Sequence, residues 1–292
     1  MSDLNLSGVH PAMCTPFEED GSIDFQGLRE NVRRLENAGV SGLVPMGSTG
    51  ESATASHDEH VDVIRAVSKE ADIPVIAGSG SNNTREALSL SRRAKEAGAD
   101  GLLLISPYYN KPPQRGLKQH YLEIADSIDI PQIVYNVPSR TGRSLESDTV
   151  SSLAQHENII GYKAAGGQMG RISKIIEETR SENFYVLSGN DGETLPIISM
   201  GGYGCISVAA NVEPELMSEM VRYANNENFG RARELHHKLG PLFRAMFCET
   251  NPIPVKAALE ERELGNGNLR SPLSEISDEN RGRIIKTLER YN

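Results

Sequence analysis

Residues 87–106 read ALSLSRRAKEAGADGLLLIS and contain the unit on which the fold depends. Apolar residues recur at helical spacing from Ala87 to Ala97, and Gly98 follows the last of them as a C-terminal cap does. Gly101–Ser106 then forms a short, continuous apolar run. Continuous runs are typical of parallel strands that are covered on both faces. The stretch therefore predicts a helix that leads into a buried parallel strand.

The same alternation of apolar runs and amphipathic segments extends through most of the chain. Eight runs have the length and composition of buried strands: Val9–Phe17, Gly42–Met46, Pro74–Ala77, Gly101–Ser106, Gln132–Val137, Ile159–Ala164, Phe184–Leu187 and Gly204–Ala209. Eight strand–helix repeats predict an α/β fold, a (β/α)8 TIM barrel. A doubly wound sheet is the alternative on pattern alone.

The chain changes character beyond about Ala224, where the strand signals stop. Three helical segments follow, at Gly230–Cys248, Pro254–Leu264 and Pro272–Tyr291. We therefore expect two regions. A catalytic barrel occupies residues 1–224, and a C-terminal helical appendage of three helices occupies residues 225–292.

Composition and short motifs exclude several classes of protein. The net charge of −10 argues against nucleic acid or an anionic membrane as a partner, and no apolar run approaches the length of a membrane span. The first residues carry neither a basic start nor a long apolar stretch, so we expect a cytoplasmic location. The three cysteines show no metal-binding spacing, and no dinucleotide or P-loop fingerprint occurs. Neither a metal nor a cofactor is therefore predicted.

Active sites of barrels lie at the C-terminal ends of the strands, and Lys163 is the most informative residue there. It lies inside the apolar run Ile159–Ala164. Burial disfavours the ammonium form of a lysine, and the resulting free amine can attack a ketone to form an imine. The alternative is a lysine that extends to solvent from a strand end. Tyr135, near the end of the preceding run, favours catalysis because a phenol can transfer protons during imine formation.

Polar residues also follow the predicted strands Gly42–Met46 and Gln132–Val137. Ser48 and Thr49 lie in a glycine-flanked turn, where they can transfer protons, bind a carboxylate or simply form the turn. Arg140 follows the run that contains Tyr135. A guanidinium there can bind a substrate carboxylate by two parallel hydrogen bonds, and the alternative is a surface arginine.

Three motifs together resemble the dihydrodipicolinate synthase / N-acetylneuraminate lyase family of pyruvate-dependent aldolases. They are Gly47-Ser48-Thr49-Gly50-Glu51, Tyr135-Asn136-Val137-Pro138 and Gly161-Tyr162-Lys163. The resemblance covers nearly the whole chain, and Ser139-Arg140-Thr141-Gly142 is similar to the synthase branch. It implies an imine between pyruvate and Lys163. It also implies condensation of pyruvate with L-aspartate 4-semialdehyde to 4-hydroxy-tetrahydrodipicolinate, in lysine and diaminopimelate biosynthesis, without a cofactor.

The resemblance implies a role for several other residues. A proton relay would comprise Tyr135, Thr49 or Ser48, and Tyr109, with Tyr109 contributed by a neighbouring subunit of a homotetramer built from dimers. Candidate substrate-binding residues are Ser48, Thr49, Arg140, Gly189 and Ile206. An effector site for lysine, the end product of the pathway, would comprise Ser52, Ala53, His57, His60, Asn82, Glu86 and Tyr108.

The chain departs from the synthase pattern at three places. Ser48 replaces the usual threonine, Ala164-Ala165-Gly166-Gly167 stands where Glu-Ala-Thr-Gly is usual, and Asn190 replaces an aspartate. These changes do not affect imine formation, but they leave the identity of the second substrate undecided. An aldolase of the same family that acts on a 2-keto-3-deoxy sugar acid or N-acetylneuraminate is therefore an alternative. A non-catalytic barrel that binds oxo acids is an alternative of another class. The combination of lysine, phenol and guanidinium argues against it.

Overall fold

The computed structural model describes residues 4–291, which form one parallel sheet surrounded by helices. The strands are β1 (Gly8–Pro11), β2 (Ile76–Gly78), β3 (Gly101–Ile105), β4 (Gln132–Asn136), β5 (Ile159–Ala164), β6 (Tyr185–Ser188) and β7 (Gly204–Ser207). They pair in parallel in the order β1-β7-β6-β5-β4-β3-β2. This order follows the chain around a ring, apart from the position between β1 and β2. A doubly wound sheet, whose strand order reverses near its centre, is therefore excluded.

The position between β1 and β2 belongs to the predicted strand Gly42–Met46. Two parallel bridges, Ala12 to Val44 and Leu43 to Val75, connect this segment to both neighbours and close the ring. It is nevertheless not a regular strand, so the prediction was wrong in that respect. Proline at position 45 has no N–H to donate, and Met46 has a left-handed φ of 55°.

Helices alternate with the strands around the sheet and continue beyond the last strand. They are α1 (Phe25–Asn37), α2 (His57–Glu70), α3 (Thr84–Glu96), α4 (Gln114–Ser127), α5 (Pro138–Thr141), α6 (Ser147–Leu153), α7 (Met169–Thr179), α8 (Thr194–Ser199), α9 (Pro214–Asn225), α10 (Phe229–Ala245), α11 (Ile253–Glu261) and α12 (Asp278–Leu288). The local sequence determines where several of these helices begin or end. The predicted cap Gly98 has a φ of 101°, and Ser56 with Glu59 forms a capping box at the start of α2.

The three predicted C-terminal helices correspond to α10, α11 and α12, each somewhat shorter than expected. The last helix begins at Asp278 rather than at Pro272, because Ser277 caps it by accepting a hydrogen bond from the Asn280 N–H. Among residues 4–291, no helix is both long enough and apolar enough to cross a membrane.

The core has an inner and an outer part. Side chains such as Val44, Leu103, Ile133 and Leu187 fill the inside of the ring, while larger clusters pack between the sheet and the helices. The inside of the barrel is therefore solid, as barrels of this kind are. Space for a ligand remains at the C-terminal ends of the strands.

Candidate active site

Lys163 lies near the end of β5 and points into the barrel mouth. In the sheet it pairs with Tyr135 of β4 on one side and Leu187 of β6 on the other. Its Nζ lies 4.2 Å from the centroid of the Tyr135 ring, and the residue is only 6% exposed. The sheet register therefore brings together the two residues on which the sequence argument rested most.

Burial changes the acidity of this lysine. Desolvation, with a smaller contribution from Arg140, lowers the pKa of Lys163 from 10.5 to about 7, although Asp191 opposes the change. A substantial fraction of the amine is thus uncharged at neutral pH. Only this form is a nucleophile for a carbonyl carbon.

Asp191 is a functional candidate that the sequence argument did not identify. Its carboxylate accepts hydrogen bonds from the Ser207 hydroxyl at 2.5 Å and from the backbone N–H of Ala209 at 2.9 Å. Burial raises the pKa of Asp191, and these hydrogen bonds and Lys163 oppose that change. The residue lies just after β6, at the C-terminal end of that strand. Its position after a predicted strand was therefore visible in the sequence, but its proximity to Lys163 was not.

Tyr135 is buried below the turn that carries the two hydroxyl residues. Burial raises the pKa of its phenol, and Arg140 and Ser48 oppose that change. Thr49 is also buried, and its Oγ1 accepts a hydrogen bond from Asn251 Nδ2 at 2.9 Å. The Thr49 hydroxyl that accepts this bond can still donate its own proton.

The turn between Met46 and Glu51 is a strained segment of backbone. Both residues are left-handed, with φ of 55° and 54°. Non-glycine residues in this region cost roughly 1–3 kcal/mol each and persist only where the surroundings hold them. One such contact is the hydrogen bond that Thr15 Oγ1 donates to the Gly50 carbonyl at 2.7 Å.

A cavity of about 380 Å³ opens above Lys163. Six predicted catalytic or substrate-binding residues line it, namely Ser48, Thr49, Tyr135, Arg140, Lys163 and Gly189. At Gly189, an added Cβ would lie 3.0 Å from Lys163 Cε and 2.8 Å from Ala165 Cβ. A side chain at this position would therefore press on the lysine. Asn251, Phe247 and Glu249, from the segment between α10 and α11, complete the wall.

Arg140 lies in the short helix α5 at the rim of this cavity. Its Nη2 donates to the Asn251 carbonyl at 2.9 Å, and the residue is otherwise exposed. A guanidinium held in this way retains donors for a carboxylate that enters the cavity.

Two predicted residues do not line the cavity. Tyr109 is 88% exposed, so it makes no contribution to the site of its own chain. Ile206 is fully buried on β7 within the barrel interior, in the same cluster as Tyr135 and Leu187.

A second cavity, of about 450 Å³, lies beside the first and shares Ser48, Tyr135 and Arg140 with it. Six residues of the predicted effector site line it: Ser52, Ala53, His57, His60, Glu86 and Tyr108. Glu86 accepts hydrogen bonds from Ser81 and from His57, the latter at 2.8 Å, and these lower the pKa of its carboxyl. Asn82 is not part of the wall, and its carbonyl accepts a hydrogen bond from Asn110.

Comparison with known proteins agrees with this geometry. Residues 5–291 match the Dihydrodipicolinate synthetase family. A 4-hydroxy-tetrahydrodipicolinate synthase of Haloarcula marismortui is 62% identical over 293 residues, which cover 99% of this chain and 96% of that protein. The crystal structure of dihydrodipicolinate synthase from Aquifex aeolicus superimposes with a TM-score of 0.96 at 44% identity, over 98% of both chains.

Another solved structure, of the enzyme from Cyanidioschyzon merolae with lysine bound, has a TM-score of 0.94 at 34% identity, over 97% of both chains. The relatives and the solved structures thus agree on one group of enzymes. The chain belongs to the dihydrodipicolinate synthetase family.

Proposed function

We propose that the protein condenses pyruvate with L-aspartate 4-semialdehyde to form 4-hydroxy-tetrahydrodipicolinate, through an imine between pyruvate and Lys163. The observation that carries this proposal is the buried Lys163 amine, which lies against Tyr135 at the base of a cavity whose rim carries Arg140. The names of the relatives support the same reaction. The product supplies lysine and diaminopimelate biosynthesis.

The steps follow from the positions of the residues. The free amine of Lys163 attacks the pyruvate ketone, and Tyr135 with Ser48 and Thr49 transfers the protons needed to expel water. Loss of a methyl proton then gives the enamine, whose carbon attacks the aldehyde and regenerates the imine. The amino group of the aldehyde substrate then adds to the imine carbon, which closes the ring and expels the Lys163 amine. Arg140 binds the carboxylate of the aldehyde substrate at the rim, and Gly189 leaves room for pyruvate beside the lysine.

A substrate panel tests the proposal directly. Purified protein is assayed with pyruvate and L-aspartate 4-semialdehyde, and in parallel with 2-keto-3-deoxy sugar acids and N-acetylneuraminate. We expect turnover with the first pair to exceed all others by orders of magnitude. Preferential cleavage of a sugar acid would identify an aldolase of the same family instead.

The acidity of Lys163 gives a pH prediction. Since its pKa is about 7, the rate of imine formation should rise with pH through that value as the amine loses its proton. Asp191 raises the pKa of this lysine, so Asp191→Asn should shift the rise to lower pH. Stopped-flow or quenched borohydride trapping across the pH range measures this. The surface variant Asp148→Asn is the control, and identical profiles for the wild type and Asp191→Asn would contradict the prediction.

The second cavity is proposed as a site where lysine inhibits the enzyme. An ionised Glu86 suits an ammonium group, and a relative has been solved with lysine bound. We expect L-lysine to bind in calorimetry and to reduce turnover, and Glu86→Ala to abolish inhibition while basal turnover persists. Glu96→Ala, at the exposed end of the same helix α3, should remain inhibited. Full activity of the wild type in millimolar lysine would contradict this role.

The assembly is also a proposal. Tyr109 has a left-handed φ of 69° and projects from the surface, as a residue that completes a neighbouring subunit's relay would. We therefore infer a homotetramer built from dimers. We further propose that residues 1–224 form the catalytic barrel, that residues 225–292 form a helical appendage, and that the enzyme is cytoplasmic. No nucleic-acid or membrane partner is proposed.

A further inference from the structure

The most deeply buried ion pair of the described chain joins the turn above Lys163 to the C-terminal region. Glu51 Oε1 lies 2.5 Å from Lys256 Nζ, and the two side chains are only 1% and 4% exposed. Glu51 ends the strained turn that carries Ser48 and Thr49, and Lys256 lies in α11. The pair thus connects the proposed proton relay to a helix outside the barrel.

Both partners are held by several other groups. Lys256 Nζ donates to the Asn268 carbonyl at 2.7 Å and lies 4.1 Å from the centroid of the Phe17 ring. Glu51 Oε2 accepts from the Arg270 backbone N–H at 3.1 Å. Because these contacts fix the direction of both side chains, the ion pair can hold the turn in one position.

A second connection from the same region reaches the turn two residues earlier. Asn251 Nδ2 donates to Thr49 Oγ1 at 2.9 Å, and the Asn251 carbonyl accepts from Arg140. The C-terminal region therefore holds the turn at both Thr49 and Glu51. Lys163 itself depends on neither contact, because the β5 register positions it.

A buried ion pair is weak evidence for stability, since well-packed neutral residues often replace such pairs without loss. Its location suggests a different use. We infer that Glu51 and Lys256 are positioning residues, which hold the Ser48–Thr49 turn in register with Tyr135 so that protons can pass between them. This inference rests on the proposed function, and it assigns the C-terminal region a direct part in the rate of the reaction.

The test is the double variant Glu51→Gln/Lys256→Met, which removes both charges and leaves no buried charge unpaired. We expect the double variant to fold with a Tm close to that of the wild type. Its kcat should fall by about 10- to 100-fold, because a displaced turn loses part of the rate that general acid–base catalysis provides. The rate of borohydride-trapped imine formation should fall by the same factor. The final extent of trapping on Lys163 should be unchanged, because the lysine remains in place.

The double variant Glu213→Gln/Arg262→Met is the matched control. Arg262 forms a partly buried ion pair with Glu213 at 2.6 Å beside α11, without contact to the turn, so kcat should be retained. A double variant with wild-type kcat, or with a loss no larger than that of the control, would overturn the inference. So would a reduced extent of trapping, which would place the damage at Lys163. A wild type that forms no imine would instead contradict the proposed function, and this inference with it.

Discussion

Replacing Lys163 with alanine should abolish turnover and leave the protein folded. The imine requires an amine at this position, and neither Tyr135 nor the turn residues can provide one. Lys163 forms no ion pair within the part of the chain that the structure describes, so its removal leaves no opposite charge in direct contact without a partner. Circular dichroism and thermal unfolding check the fold, and a coupled assay checks turnover.

Mass spectrometry locates the imine in the wild type. Borohydride with pyruvate should add one reduced pyruvate unit to the peptide that contains Lys163. Lys256 serves as an internal control, because it is similarly buried but paired with Glu51 and should remain unmodified. An adduct on any other lysine, or turnover by Lys163→Ala, would refute the mechanism.

The second large effect is expected for Tyr135→Phe, which removes one hydroxyl and retains the ring beside Lys163. General acid–base catalysis contributes about 10²–10⁴-fold in rate, and we expect kcat to fall within this range. Pyruvate should still bind, because the cavity keeps its shape. Steady-state kinetics and the rate of imine trapping measure the loss.

The neighbouring Tyr162 provides a matched control. It precedes Lys163 on β5, so its side chain points to the opposite face of the strand, and it packs in the layer under the helices. Tyr162→Phe should therefore retain turnover. A Tyr135→Phe enzyme as fast as Tyr162→Phe would reduce Tyr135 to a packing residue.

The sequence alone determined the architecture and made Lys163 the candidate for covalent chemistry. Continuous apolar runs separated by amphipathic helices specify a parallel sheet covered on both faces, because both patterns arise from burial along the chain. A lysine inside such a run is informative for the same reason, since an unpaired ammonium is costly to bury. The three motifs then identified the family, and the C-terminal helices followed from periodicity.

Only the tertiary structure decided how distant residues meet. Asp191 was one of many strand-end residues until the closing of the ring placed its charge near Lys163. The partners Lys256 and Asn251 lie about two hundred residues from the turn that they hold. Pairing between such distant positions depends on docking of the C-terminal helices, and neither periodicity nor local propensity records it. The irregular segment from Gly42 to Met46 has two causes. Pro45, which lacks an N–H, is visible in the sequence, whereas the left-handed φ of Met46 depends on its surroundings.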